Sequence, residues 1–263
     1  MTARIPGFLT HPLTRGLSLD DPTTTRLRRQ ILAEKMFLRR IYQEWYEQIE
    51  ALLPPGDASV LELGAGASFL NEYMAGTLTS DIIWLPGLDL VADASELPFA
   101  PGSLRGIAMT NVFHHLSKPA SFLREAARCV VRGGALVMIE PWVSRWSRFV
   151  YRRLHHEPFE PEAPEWGFST SGPLSGANGA QPWIVFARDY SRFVETYPEW
   201  HLDHVDVGMP FRYLLSGGMA GRALVPAWTF GMWRAAERAL SRYKSALAMF
   251  ASIRLVRTSH TGQ

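Results

Sequence analysis

The residues best suited to chemistry stand at the ends of short apolar runs. In "VLELGAGASFL", residues 60–70, such a run reaches a turn with glycines at 64 and 66. Glycine lets the backbone approach a ligand closely and adopt positive φ where a turn needs it. A phosphate or a nucleoside is the ligand such a turn suggests. The dinucleotide fingerprint G-x-G-x-x-G needs a third glycine for close helix–strand packing, and counting from Gly64 that position holds Phe69. The nicotinamide reading is weakened accordingly. Glu62 stands two residues ahead of Gly64, as in an E-x-G-x-G pattern. Its carboxylate could accept hydrogen bonds from a ligand cation or from neighbouring backbone. Asp81, fifteen residues beyond Gly66, ends the run "TLTSD", where an acidic side chain can accept both hydroxyls of a ribose. Asp93, with Ala94, ends "DLVADA" at a place suited to the exocyclic amine of adenine. Three carboxylates around a nucleoside, with no basic phosphate clamp, suit a cationic, phosphate-free cofactor better than a pyrophosphate. Each aspartate taken singly reads equally well as a helix cap or a turn residue.

Histidines form two further groups. His114 and His115 follow the run "GIAMTNV", and His155, His156 and Glu157 lie in "RLHHEP". A histidine or carboxylate near an acceptor proton can serve as general base. One of the first pair reads equally as a residue that packs or bonds to a backbone carbonyl. "RLHHEP" also admits a metal reading, but adjacent histidines rarely ligate one ion and the H-x-x-x-H spacing is absent, so no metal is expected. The aromatics Trp142, Tyr151, Phe159, Trp166 and Trp183 would exclude water and shape a pocket, or fill a core.

The elements that must position these residues follow from hydrophobic periodicity. From Asp21, a cap with Pro22 at the first helical position, to Pro54 and Pro55, the chain reads as one helix. Leu27, Ile31, Leu38, Ile41, Trp45, Ile49 and Leu52 give it an apolar face, to pack on the following domain or cover its ligand. Short strands then alternate with helical stretches: "SVLELG", "LNEYMAG", "TLTSD", "DLVADA", "GIAMTNV", "PASFLREAARCVV" and "GALVMIEP". This alternation argues for a parallel sheet covered on both faces, with ligands at the carboxyl ends of its strands. Glu62, Asp81, Asp93, Asn111 and Glu140 occupy those ends. From Trp142 to about Phe186 the rhythm breaks into a basic aromatic helix and a long loop rich in Pro, Gly and Ser; a loop of that length is usually functional or disordered. "RDYSRFVETYP" then reads as helix, "WHLDHVDVGMPF" as strand, "PAWTFGMWRAAERALSRYKSAL" as helix and "MFASIRLVRT" as a last strand. The organisation expected is a helical extension over 1–56 and one domain over 57–263, with an insertion at about 142–186.

Composition sets the bounds. The 263 residues, 47% of them hydrophobic, suffice for one large α/β domain. Net charge is +2 and the 27 basic residues form no polybasic block, so nucleic acid is not an expected partner. A single cysteine, Cys129, excludes an internal disulfide, fits a reducing cytosol, and reads as a small buried hydrophobe on a helix. No apolar stretch approaches the ~18 residues of a membrane span, and the first residues lack a signal-peptide core, so a soluble cytoplasmic protein is expected. The arginines and Trp233 of "FGMWRAAERALSRYKSALAMF" make peripheral contact with an anionic surface conceivable, though packing onto the sheet is the preferred reading.

"VLELGAG", "DLVADASELPFAPGSLRGIAMTNVFHHL" and "REAARCVVRGGALVMIEP" follow one another as do the motifs of class I S-adenosylmethionine-dependent methyltransferases, over about residues 58–141. The chain resembles that family, in particular its small-molecule type. The resemblance implies an α/β fold with a Rossmann-like mixed seven-stranded sheet, helices on both faces, an N-terminal helix and a cap insertion. It implies S-adenosyl-L-methionine as cofactor. Residue by residue, Glu62, Gly64 and Gly66 would cradle the methionine part, Asp81 would bind the ribose, Asp93 and Ala94 the adenine, and Asn111 would lie beside the sulfonium. Three departures stand out. Ser68 replaces the family's third glycine and could itself offer a hydroxyl donor; Arg132 replaces the proline of the usual "PGG" turn; and the eleven residues between Asp81 and Asp93 are too few for the helix usual there. The function implied is methyl transfer to a small-molecule or glycolipid-like acceptor, with oxygen the preferred atom; a non-catalytic S-adenosylmethionine-binding regulatory module is the alternative. His114, His115 and His156 are then the candidate bases, and Trp142, Tyr151, His155 and Trp183 the candidate acceptor pocket.

Overall fold

A computed structural model describes residues 22–154, 157–170, 172 and 176–258. The N-terminal stretch is two helices, α1 (Pro22–Glu34) and α2 (Met36–Leu52), where one was expected. The break is at Lys35, whose φ of −85° and ψ of 80° are not helical. Its side chain turns aside to donate to the carbonyls of Gly218 at 2.5 Å and Gly221 at 2.9 Å, contacts 183 and 186 residues along the chain. The expected cap Asp21 lies outside the described residues.

The domain alternates as read: β1 (Ser59–Leu63), α3 (Leu70–Tyr73), β2 (Thr77–Asp81), β3 (Leu90–Val91), β4 (Leu104–Thr110), α4 (Pro119–Cys129) and β5 (Val130–Pro141). After α5 (Arg145–Leu154) come α6 (Gln181–Trp183), continued by wider turns over Ile184–Arg188, then α7 (Tyr190–Thr196), β6 (Trp200–Gly208), α8 (Arg212–Ser216), α9 (Phe230–Ala239) and β7 (Phe250–Arg257). The seven strands form one sheet in the order β3-β2-β1-β4-β5-β7-β6. The pairs from β3 to β5 are parallel, while β7 runs antiparallel to both its neighbours, so the sheet is mixed. The long expected helix near the C-terminus is broken: α9 ends at Ala239, Leu240 turns out of helical geometry, and only the short helix Lys244–Leu247 follows.

The strand order reverses between β1 and β4. Leu63 of β1 pairs with Ser80 of β2 on one side and Met109 of β4 on the other, so the glycine turn, Asp81 and Asn111 leave the sheet side by side. This is the crevice where open α/β sheets bind ligands. α2 packs its aromatic face over the same region. Trp45 meets Phe250 of β7 at 5.0 Å between ring centroids and stacks on Tyr213 at 5.7 Å. Cys129 is fully buried at the end of α4, as a small hydrophobe would be.

Candidate active site

Gly64 has φ of +69°, and a Cβ there would stand 2.4 Å from Val112 Cγ2, so the turn from β1 closes against the turn from β4 only with glycine. A Cβ at Gly66 would fall 2.8 Å from Thr25 of α1 and 2.9 Å from Asp81 Oδ2. The Gly66 N–H donates to that carboxylate at 3.0 Å, and the Ile83 N–H donates to its other oxygen at 3.2 Å. Burial raises the Asp81 carboxyl, and these backbone donors work against the rise.

Ser68 is an anchor for Glu62. Its hydroxyl donates to Glu62 Oε1 at 2.5 Å, so the Tyr46 hydroxyl, 2.7 Å away, donates to Ser68 in turn. Leu70 N–H also reaches Ser68 Oγ, and Phe69 N–H reaches the Tyr46 oxygen. Glu62 is pushed up to about 7, by burial first, with the Ser68 hydrogen bond opposing. Its Oε2 and the Thr110 hydroxyl are buried with no hydrogen-bond partner among the described residues. Phe69 packs against Tyr42 and Tyr46, with the Arg39 guanidinium 4.1 Å above its ring. The bulk that spoils a dinucleotide turn thus fastens α2 to the glycine turn.

The turn after β4 is held by Glu140, fully buried near the end of β5. Its carboxylate accepts the N–H groups of Val112 at 2.8 Å and Phe113 at 2.7 Å, a longer one from His114 at 3.4 Å, and His114 Nδ1 at 2.6 Å. Asn111, at its start, takes the left-handed φ of 58°. Burial would lower His114, but the carboxylates of Glu140 and Glu157 outweigh it and raise the ring to about 9. His115 is lowered, by burial and then by the neighbouring His114 charge. Its Nδ1 lies 3.0 Å from the Gly176 carbonyl.

These turns open on one cavity of ≈ 780 Å³, within the size range of small-molecule sites. Of the residues singled out in the sequence, Gly64, Gly66, Ser68, Asp81, Asp93, Ala94, Asn111, His114, His115, Tyr151, Glu157 and Phe159 line it. Glu62 lies behind Ser68 rather than on the wall. Asp93 is exposed and also closes a local turn, accepting Ser95 N–H and hydroxyl at 2.7 Å each. Trp142 and Trp183 do not line the cavity: Trp142 is buried, with its N–H bonded to Met249, and Trp183 lies under the Arg148 guanidinium. For these two, packing is the role the surroundings give. His155 and His156 lie outside the described residues. Sequence reasoning did not anticipate the segment Tyr213–Leu224, which supplies much of the lining, nor Thr25, Arg28 and Tyr42 from α1 and α2. The apolar face of the N-terminal helices was the available signal for Tyr42; nothing in the 213–224 segment distinguished it.

Residues 61–138 match the family described as "Methyltransferase domain". No curated protein sequence matches the chain. Among solved structures, a chain from a complex containing the Haloferax volcanii Trm112 methyltransferase activator is 15% identical with a TM-score of 0.52, over 94% of this chain and 100% of that one. Geranyl diphosphate C-methyltransferase from Streptomyces coelicolor A3(2), solved with Mg2+, geranyl diphosphate and S-adenosyl-L-homocysteine, is 13% identical with a TM-score of 0.51, over 97% of this chain and 94% of that one. A Haemonchus contortus phosphoethanolamine N-methyltransferase is 12% identical with a TM-score of 0.50, over 94% of this chain and 60% of that one. At such identities the likeness is one of fold. Residues 61–138 thus match a methyltransferase domain, and the seven-stranded sheet around them has the Rossmann-like fold of these methyltransferase structures.

Proposed function

We propose that the protein transfers a methyl group from S-adenosylmethionine to an oxygen atom of a small, largely apolar molecule seated in the cavity beside that cofactor. The residues present fit the cofactor. Gly64 and Gly66 let the turn at the cavity edge close against Val112, Thr25 and Asp81, and Glu62 Oε2 and Thr110 Oγ1 are buried polar atoms in want of a partner. On this reading the turn and Glu62 take the methionine end, Asp81 accepts ribose hydroxyls beside the backbone donors it already has, Asp93 and Ala94 border the adenine, and Asn111 stands by the sulfonium. The cofactor supplies an activated methyl whose transfer is an in-line displacement. Positioning is then the main task of the protein, worth on the order of 7–11 kcal/mol for well-oriented partners.

The observation that carries the acceptor reading is a contrast within the cavity lining. Val150, Tyr151, Leu154, Phe159, Leu214 and Phe250 give the cavity apolar lining, while His114, His115 and Glu157 form a polar cluster in the same lining. A ligand with an apolar body and one oxygen aimed at that cluster satisfies both. The test supplies S-adenosylmethionine with a labelled methyl and pairs of apolar acceptors that differ only in a hydroxyl. Label on the hydroxylated member alone is expected; label arriving only on amine or carbon positions would overturn the choice of oxygen.

A further inference from the structure

Three side chains from two distant stretches meet at one point of the cavity wall. His114 and His115 sit on the tight turn after β4, and Glu157 comes from the segment after α5. His114 Nε2 lies 3.7 Å from Glu157 Oε2, His115 Nε2 lies 3.9 Å from Glu157 Oε1, and one ligand atom from each residue falls within 4.8 Å of the others. Adjacent histidines normally diverge, which is why the sequence gives no reason to expect a metal. Here the turn holds the two rings 4.2 Å apart and 40° from parallel, so both address the same carboxylate.

Each ring is also fixed by its other nitrogen. A backbone carbonyl can only accept, so the Gly176 oxygen keeps a proton on His115 Nδ1. Glu140 already accepts backbone N–H groups and takes His114 Nδ1 as a further donor. Both Nε2 atoms are thereby turned toward Glu157, and each imidazole has the outer support that metal-ligating histidines have. We infer that His114, His115 and Glu157 form a binding site for a divalent transition metal of the zinc type, with two imidazole nitrogens, one carboxylate oxygen and an open position facing the cavity. Ligand atoms at tetrahedral zinc stand roughly 3.4 Å apart. The separations of 3.7 and 3.9 Å run to the two different oxygens of Glu157, and one ligand atom from each residue gathers within 4.8 Å, so a turn of the carboxylate and a closure of up to roughly 1.4 Å complete the set. Three protein ligands with one position open is the pattern of zinc sites that bind a further ligand, and an oxygen or nitrogen of the acceptor is the ligand this cavity would present. The site stands on this geometry and does not depend on which atom is methylated.

The test uses the full chain, stripped with chelator, dialysed and titrated with Co2+, then with Zn2+. One equivalent of Co2+ per chain is expected, with the visible absorption of a four- or five-coordinate site that Zn2+ abolishes. Glu157→Gln and His115→Asn should each weaken Co2+ binding by at least the ~10-fold that loss of a mere supporting residue costs. Melting temperatures in chelator identify which variants are folded, and either folded variant suffices. No Co2+ uptake by the wild-type chain, or uptake undiminished in a folded variant, would overturn the site.

Discussion

Glu62 is a carboxyl held in apolar surroundings by a single serine hydroxyl, with one oxygen left over. Its folded pKa of about 7 stands above the ordinary 4.5. Between those values the folded chain keeps a proton that the unfolded chain has lost, so the stability of the neutral form is complete below about 4.5 and disappears as the pH rises through about 7. The difference amounts to on the order of 3 kcal/mol. Urea unfolding from pH 4.5 to 8 should therefore show wild-type stability falling relative to Glu62→Gln across that interval; parallel profiles would contradict it. The sequence made Glu62, the two glycines and Asp81 legible because local chemistry picks them out: a carboxylate before a glycine turn, and another at the next strand end. It left the role of Ser68 open. That role depends on Tyr46, a residue of a helix that nothing local connects to the turn.

At the scale of elements, the alternation of strands and helices was readable because each strand is a short apolar run between turn residues. The break in the N-terminal helix was not. Its cause is a partner 183 to 186 residues further along the chain: Lys35 leaves the helix to bind the carbonyls of Gly218 and Gly221, on the segment that lines the cavity. Burial lowers its ammonium to about 8, and the two carbonyls take two of its three donors. Lys35→Met would keep the stem and remove the donors, leaving those acceptors unpaired at about 1–3 kcal/mol. Amide exchange of residues 217–224 should quicken while the strands β1, β4 and β5 are unchanged, and affinity for S-adenosylhomocysteine should fall. Unaltered exchange in that segment would show that Lys35 does not hold it. The cap is tied to the sheet by a comparable set of bonds. Asn178 N–H donates to the His114 carbonyl and the Gln181 side chain to the Leu116 carbonyl, both on the turn after β4, while Gln181 also holds the cap together through the Trp166 carbonyl.

For the molecule as a whole, the cavity is a meeting of parts widely separated in the chain: α1 and α2, the glycine turn, the histidine turn, the cap, the segment before α9, and the start of β7. Its floor at the switch point follows from the strand order, which the motif sequence implied. Its roof does not, because the aromatics that build a roof and those that fill a core have the same composition, and Trp142 and Trp183 proved to lie away from the cavity while Tyr151 lines it. The central claim is that one S-adenosylmethionine site lies at the carboxyl ends of β1, β2 and β4. Calorimetric titration with S-adenosylhomocysteine tests it most directly. One site per chain is expected, with affinity reduced about 10-fold by Asp81→Asn and by Gly64→Ala, the loss of a charge-assisted hydrogen bond costing about 1.5–3 kcal/mol and the strain of a side chain at positive φ about 1–3 kcal/mol. A folded wild-type chain that takes up no S-adenosylhomocysteine, or one whose affinity neither substitution alters, would contradict the account.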